Sequence, residues 1–304
     1  MITPHVTNEV GRLRTVVLGL PDQQGSQPTK EQTYDAKSYY SVAKGIYPKE
    51  ADCRVEMDAV LCVLEKYGVE VLRPRSLESC NQVFARDVAF TIDDTLFVAN
   101  LIADRSEETS AFEEVFKLVG ERVEVLPAPI RIEGGDVLLY DDILFVGTCL
   151  DGEFDLYKTA RTNRYGIDFL KERFPRKTLL PIALKKHDTD PARSVLHLDC
   201  AFQPVGEGRA IYYPDGFATR EGRGVIEEIF GKENLFAVTP EEAFHMNTNI
   251  FSISPTVVIS EQQFTRLNTH MEKEWGIQVE PVPYFEISKM GGLLRCSTMP
   301  VVRD

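Results

Sequence analysis

The chain has 304 residues, 43% of them hydrophobic, enough to bury a substantial core in one large domain or two ordinary ones. Its 47 acidic and 34 basic residues leave a formal net charge of −13, which repels phosphate backbones and anionic membranes and draws in cations. Nucleic-acid binding is thereby disfavoured and no apolar run reaches membrane-spanning length. Met1–Glu9 has neither the basic segment nor the apolar stretch of an export signal, so the expected location is the cytoplasm.

In chain order, the first strand-like run is Leu13–Leu20, followed by the polar, non-periodic Gln23–Lys30, which reads as a mobile loop able to cover a site. Four hairpin signals follow, each made of two β-rich runs around turn residues. They are Val88–Ile92 with Thr95–Ala99, Asp136–Tyr140 with Ile143–Gly147, Cys200–Pro204 with Arg209–Tyr213, and Ile250–Ile253 with Thr256–Ile259. Helix-like stretches come after them. Ser110 to Glu113 and Ser260 to Gln263 have capping-box spacing, and Phe264, Leu267, Met271 and Trp275 share one helical face. Short strands ending near proline complete each unit: Val69–Leu72, Val123–Leu126, Thr178–Leu180, Leu235–Val238 and Ile277–Val279.

The ββαβ unit recurs roughly every 40 to 60 residues, a period that signals a repeat architecture and not a doubly wound sheet. Five units predict a five-bladed α/β propeller forming a single catalytic domain over residues 1–304. Its fifth blade is closed by the N-terminal run Leu13–Leu20 and the C-terminal run Leu293–Val302. A short polar or reactive residue opens a hairpin five times, at Asp87, Asp136, Asp199, Asn249 and Cys296. A ring of repeats gives these residues a shared centre. Three carboxylates, an amide and a thiol converging there suit a cationic substrate and a nucleophile. The six cysteines include no Cys-x-x-Cys pair, so neither a zinc site nor a disulfide framework is indicated, and no metal or organic cofactor is expected.

Around the hairpin starts lie Phe84-Ala85-Arg86-Asp87, Glu133-Gly134-Gly135-Asp136, His197-Leu198-Asp199 and Gly291-Gly292-Leu293-Leu294-Arg295-Cys296-Ser297-Thr298-Met299-Pro300. In this order they resemble the signature of the arginine deiminase superfamily, the guanidino-group-modifying enzymes or penteins, which includes deiminases, dimethylarginine dimethylaminohydrolases and amidinotransferases. The resemblance implies the pentein propeller, a small guanidino substrate and no cofactor. It assigns Cys296 as the nucleophile, His197 as general acid and base, and Glu133 as the carboxylate that contacts substrate and orients the histidine. Asp87 and Asp199 would bind the guanidinium, a planar cation that carboxylates on two sides can hold by charge-assisted bonds. Phe84, Arg86, Asp136 and Asn249 are further candidates for substrate contact. Arg86, Arg131, Lys289 and Arg295 are the nearby cations that could meet a substrate carboxylate.

By the same resemblance, attack of Cys296 gives a covalent amidino adduct that water hydrolyses, releasing an amine or ammonia and then a ureido product. The Arg295–Pro300 stretch resembles the deiminase tail, which favours hydrolysis over transfer to an amine. The chain is short for a bacterial arginine deiminase, and nearer in size to the dimethylarginine hydrolases. Alternatives left open are an amidinotransferase and a non-catalytic pentein-fold binding protein. The composition is also compatible with a homo-oligomer.

Overall fold

The computed structural model describes residues Met1–Asp304. Fifteen strands make five three-stranded sheets, all with one pattern: the middle strand runs antiparallel to one neighbour and parallel to the other. The first sheet contains β1 (Leu13–Leu18), β2 (Glu70–Leu72) and the C-terminal strand. Next come β3 (Ala89–Ile92), β4 (Thr95–Val98) and β5 (Val123–Val125), then β6 (Val137–Tyr140), β7 (Ile143–Thr148) and β8 (Thr178–Ala183). The fourth sheet is β9 (Phe202–Val205), β10 (Arg209–Tyr212) and β11 (Leu235–Ala237), and the fifth is β12 (Phe251–Ser254), β13 (Val257–Glu261) and β14 (Gln278–Val282). The terminal strand β15 (Thr298–Arg303) pairs antiparallel with β1, joining the two ends of the chain in one sheet as expected.

Local chemistry explains the hairpins. In Asp93-Asp94 and Asp141-Asp142 the first aspartate adopts positive φ, 52° and 50°, which a short polar side chain tolerates better than most. Apolar residues of the two antiparallel strands of each sheet are mostly buried, and a core runs from Val16 in β1 through Phe145 in β7 and Phe202 in β9 to Ile259 in β13. The connecting helices lay apolar stripes on it: Cys53, Met57, Val60 and Leu64 from Glu50–Lys66, and Leu267 and Met271 from Thr265–Lys273. No helix is long and apolar enough to cross a membrane.

Two expected caps are corrected. Ser110 lies inside the 3₁₀ segment Ala103–Phe112 and its hydroxyl donates back to Glu107, while Ser260 belongs to strand β13. Spacing alone cannot distinguish a cap from a residue already committed to another element. The capping boxes that form are Thr29 with Gln32 and Thr239 with Glu242. The five hairpin-opening residues also sit one or two residues further ahead of their strands than expected. Asp87, Asp136 and Asp199 lie in short helical turns, Ala85–Val88, Gly134–Asp136 and Leu198–Cys200, that precede their strands. Asn249 and Cys296 lie just ahead of β12 and β15.

The N-terminal segment laces the sheets together. His5, Val6 and Glu9 donate backbone bonds to Val301, Asp93 and Leu139. This path delivers Glu9 to the interior.

Candidate active site

Two glycines shape the Glu133 turn. A Cβ on Gly135 would lie 2.6 Å from His197 Cγ, and one on Gly134 would collide with the Arg86 carbonyl. Only glycine lets the His197 ring and the Arg86 backbone approach this closely. Asp136 completes the turn with both oxygens engaged: Oδ2 accepts from Thr162 Oγ1 at 2.7 Å and Oδ1 from the Leu198 amide at 3.0 Å. It holds the His197-Leu198-Asp199 turn against the Glu133 turn.

His197 is fully buried between two carboxylates. Its Nε2 lies 3.0 Å from Glu133 Oε2 and its Nδ1 3.5 Å from Asp87 Oδ1. Burial opposes a charge on this imidazole, but Asp87, the Glu133 hydrogen bond and Asp136 outweigh it, so its pKa is raised. Burial would likewise push Glu133 up, yet Arg161, His197 and Arg105 hold it well below the usual carboxylate range.

Across the site, Cys296 Sγ lies 3.7 and 3.9 Å from the two oxygens of Asp199. Asn249 clamps the cysteine from both ends: its amide Nδ2 donates to Sγ at 3.2 Å and its Oδ1 accepts from the Cys296 backbone at 3.1 Å. A hydrogen bond from the Cys200 thiol favours the Cys296 thiolate, but burial and the charges of Asp199 and Asp87 prevail and raise its pKa. Before a cation arrives, Cys296 is therefore a neutral thiol at pH 7.

Each of the two aspartates is anchored by an arginine through one oxygen. Arg105 Nη1 donates to Asp87 Oδ2 at 2.6 Å, and Arg295 Nη1 to Asp199 Oδ2 at 2.8 Å. Burial pushes Asp199 upward, offset only in part by Arg295 and His197. Arg295 in turn makes two 3.0 Å bonds to Glu9, whose pKa falls to about 2 because Arg295 and Arg86 overcome its burial. Asp87 Oδ1, Glu133 Oε1 and His197 Nδ1, all buried, have no hydrogen-bond partner in the chain.

Residues 30–303 match the family described as N,N dimethylarginine dimethylhydrolase, eukaryotic. The chain belongs to this family. It is 29% identical over 242 residues to the uncharacterized protein YkgA of Bacillus subtilis, covering 79% of this chain and 77% of YkgA. It is 23% identical to the arginine deiminase of Latilactobacillus sakei over 73% of this chain and 62% of that one. To the bifunctional arginine dihydrolase/ornithine cyclodeaminase AgrE of Nostoc it is 26% identical, over 73% of this chain but only 30% of AgrE. Among solved structures, the N-terminal domain of ArgZ, a cyanobacterial arginine dihydrolase, superposes with TM-score 0.79 at 18% identity over 95% of this chain and 97% of that domain. The inosamine-phosphate amidinotransferase StrB1 of Streptomyces griseus gives 0.75 at 16% identity over 99% and 97%. These likenesses place the chain in the pentein superfamily of guanidino-group enzymes.

The expected residues of the family signature do come together. Asp87, Glu133 and His197 form one buried cluster, and Asp199 and Cys296, clamped by Asn249, form another. The charges of Asp87 and His197 bear on Asp199, Asp136 holds the His197 turn, and the Phe84 ring packs on Gly292. Arg86 is buried, its Nε 3.4 Å from the Arg295 carbonyl, and burial next to Arg295 brings its pKa down to about 9. The cations expected to meet a substrate carboxylate are engaged elsewhere. Arg295 is fully buried on Glu9 and Asp199, Arg131 donates to the Asn100 and Leu101 carbonyls, and Lys289 pairs with Glu286.

Arg105 and Arg161 stand at the site instead. Arg105 binds Asp87 and, through two nitrogens, Glu108. Arg161 donates to Glu133 Oε2 at 2.8 Å and to the Tyr34 carbonyl at 2.7 Å. The Tyr34 ring lies 5.7 Å from the Arg105 guanidinium carbon and 5.8 Å from that of Arg161. Both arginines occur in polar stretches, Asp104–Glu108 and Thr159–Asn163, to which the sequence analysis gives no role. The one available signal was the Arg105–Glu108 spacing of three. A polar cavity of about 540 Å³ reaches Arg105, Glu108 and Tyr34, bordered by Gln24–Pro28 from the loop expected to cover the site.

Two clusters have donor atoms close enough to hold a metal: Asp87, Glu133 and His197, and Asp199, Cys200 and Cys296. In the first, Arg105 and Arg161 already neutralise both carboxylates. In the second, Asp199 is bound to Arg295.

Proposed function

We propose that this protein is a cysteine-dependent hydrolase of a guanidino compound of the arginine or N-methylarginine type, built on a pentein propeller whose blades are the five sheets. The observation that carries this reading is the set of buried acceptors without partners. Asp87 Oδ1 and Glu133 Oε1 are buried with no hydrogen-bond partner, and Asp199 Oδ1 lies 3.9 Å from the Cys296 sulfur. Arginines anchor Oδ2 of both aspartates and leave Oδ1 of each to meet N–H donors. A planar cation with donors on several edges matches that arrangement.

A guanidinium bound there adds positive charge beside Cys296 and lowers the thiol pKa toward ionisation. The thiolate attacks the guanidinium carbon, and His197, charged between Asp87 and Glu133, protonates the departing amine. The neutral imidazole then takes a proton from water, which attacks the amidino-thioether carbon. Collapse restores the Cys296 thiol and releases the ureido product. Asn249 aims the sulfur, while Asp136 and Arg86 position the turns. Arg105, which lines the polar cavity, is the cation to which a substrate carboxylate would turn, while Arg161, buried on Glu133 and the Tyr34 carbonyl, holds the Glu133 side of the site.

Incubation with arginine, N-methylated arginines and agmatine, with assays for ammonia, methylamines and ureido products, tests this. The expected result is a ureido product from one of these alone, at a rate unchanged by millimolar glycine or ornithine. An amidino group transferred to the added amine as the main product would make the enzyme a transferase. No turnover of any guanidino compound, and no adduct on Cys296, would remove the catalytic reading.

A further inference from the structure

The catalytic chemistry above uses one thiol, yet two stand at the site. The sulfurs of Cys200 and Cys296 and an oxygen of Asp199 lie within 4.8 Å of one another. Cys200 Sγ lies 3.4 Å from Asp199 Oδ1, an oxygen that the Cys296 sulfur also approaches, at 3.9 Å. Cys200 occurs at the end of the short turn Leu198–Cys200, and no step of the proposed reaction requires its sulfur. It is also the thiol that a second cavity reaches. This cavity, about 100 Å³, is lined mainly by apolar residues, including Val195, Tyr213, Phe244 and Met246, and includes Cys200 in its wall. The other four cysteines, Cys53, Cys62, Cys80 and Cys149, are not part of this cluster.

We propose that Cys200 and Cys296 are a modification site: a thiol pair that hydrogen peroxide converts to a disulfide and a dithiol reverses. One thiol gives up its proton and its sulfur attacks the peroxide, forming an S–O bond as the O–O bond breaks. The leaving oxygen departs as water once it takes a proton. The second thiol then displaces hydroxide from that sulfur, forming the S–S bond and, with its own proton, a second water. The two sulfurs are oxidised by two electrons in total and the peroxide is reduced by two. Closing from this separation to the bond length of about 2.05 Å needs the thiols to rotate toward each other and away from Asp199. That carboxylate keeps Arg295 as its partner.

Cys200 would thereby protect Cys296 from irreversible oxidation. A lone sulfenic acid progresses to sulfinic acid, whereas one beside a second thiol is trapped as a disulfide that reductant opens. The loss of turnover on oxidation rests on Cys296 being the nucleophile, as proposed above. Formation of the bond does not.

The test is peroxide treatment of the reduced full-length protein, alkylation of remaining thiols, and non-reducing peptide mapping by mass spectrometry. A Cys200–Cys296 cross-linked peptide is expected, lost on addition of dithiothreitol. Activity should return to within about two-fold of the untreated enzyme after reduction, while Cys200→Ala should recover less than about one tenth and carry sulfinic acid on Cys296. Absence of the cross-linked peptide from the wild-type digest would overturn the proposal, as would equal recovery of wild type and Cys200→Ala. If Cys200→Ala does not fold, the wild-type cross-link decides. A protein that forms the cross-link but turns over no guanidino compound would retain this inference and lose the functional one.

Discussion

The two halves of the site solve one problem with different materials. On the nucleophile side, Asp199 is anchored by Arg295, which comes from the repeat motif itself and is backed by Glu9 and the Val137 carbonyl. On the histidine side, Asp87 is anchored by Arg105, which comes from the segment Ala103–Phe112 outside the sheets and is backed by Glu108. Both arginines are buried, but only Arg105 borders the polar cavity under the Gln24–Pro28 loop. One half is fixed in the core, and the other is held by loops that water and ligand can approach. The Asp199 half, which carries the proposed nucleophile Cys296, is taken as the fixed one, and the Asp87 half, whose Arg105 lines the cavity, as the adjustable one.

The largest effect belongs to the fixed half. Cys296→Ser should lower turnover on the order of 10⁴-fold or more while a guanidino substrate still binds, because a hydroxyl at this position has no adjacent base strong enough to activate it. Quenched-flow mass spectrometry should detect the amidino adduct on Cys296 in the wild type and none in the variant. Retained turnover in the variant would remove the nucleophile from this half altogether.

The second effect compares the two anchors directly. Arg295→Met leaves Glu9 and Asp199 buried without a bound cation and should cost roughly 3 to 5 kcal/mol in urea unfolding. Arg105→Met frees Asp87 and Glu108, but water from the adjoining cavity can solvate them, so the loss should be smaller, roughly 1 to 3 kcal/mol. Its larger consequence should be a raised KM for a substrate carrying a carboxylate, with agmatine affected less. Equal destabilisation of the two variants would erase the distinction between a fixed and an adjustable half.

That distinction also marks what was legible beforehand. The hairpin residues are strongly patterned, so Asp87, Glu133, His197, Asp199 and Cys296 could be read from motif order, and the sheets from β-rich runs around turn residues. Arg295 was visible as a residue but not as the anchor of Asp199, because its second partner, Glu9, lies 286 positions away and arrives through the N-terminal lacing. Arg105 and Arg161 were missed for a different reason. Burial of a charge depends on partners from other segments, and a polar loop carries no periodicity that betrays which of its charges turns inward. The aspartates' shift into helical turns follows from the same limit, since a β-rich pattern marks a strand but not its first residue.

A smaller effect should come from Asn249→Ala, which removes the amide contact to the Cys296 sulfur and the acceptor of its backbone N–H. A loss of about 1 to 2 kcal/mol in transition-state stabilisation is expected, roughly 5- to 30-fold in kcat with KM little changed. Asn249→Asp keeps the acceptor but adds a negative charge beside the thiol, and it should push the pH for thiol alkylation further upward. A change confined to KM would mean that Asn249 contacts substrate and does not mount the nucleophile.

The smallest effect tests the histidine side through pH. His197 is more easily protonated in the folded state than in the unfolded chain, because Asp87 and Glu133 outweigh its burial. Its contribution to stability is therefore fully present below the ordinary imidazole value of about 6.5 and is lost as pH rises through the higher folded value. His197→Gln removes that titration while keeping a donor for Glu133. The unfolding free-energy difference between wild type and His197→Gln should be most favourable to the wild type near pH 6 and should shrink as pH rises above neutrality. The carboxylates push in the opposite direction at acid pH: Glu133, held low in the folded state, loses its contribution only as pH falls through its folded value, far below the window of the imidazole. A difference that grows from pH 6 to 9 would mean that His197 is held neutral in the folded protein. It could not then serve as the acid that releases the amine, and the adjustable half would contain the base alone.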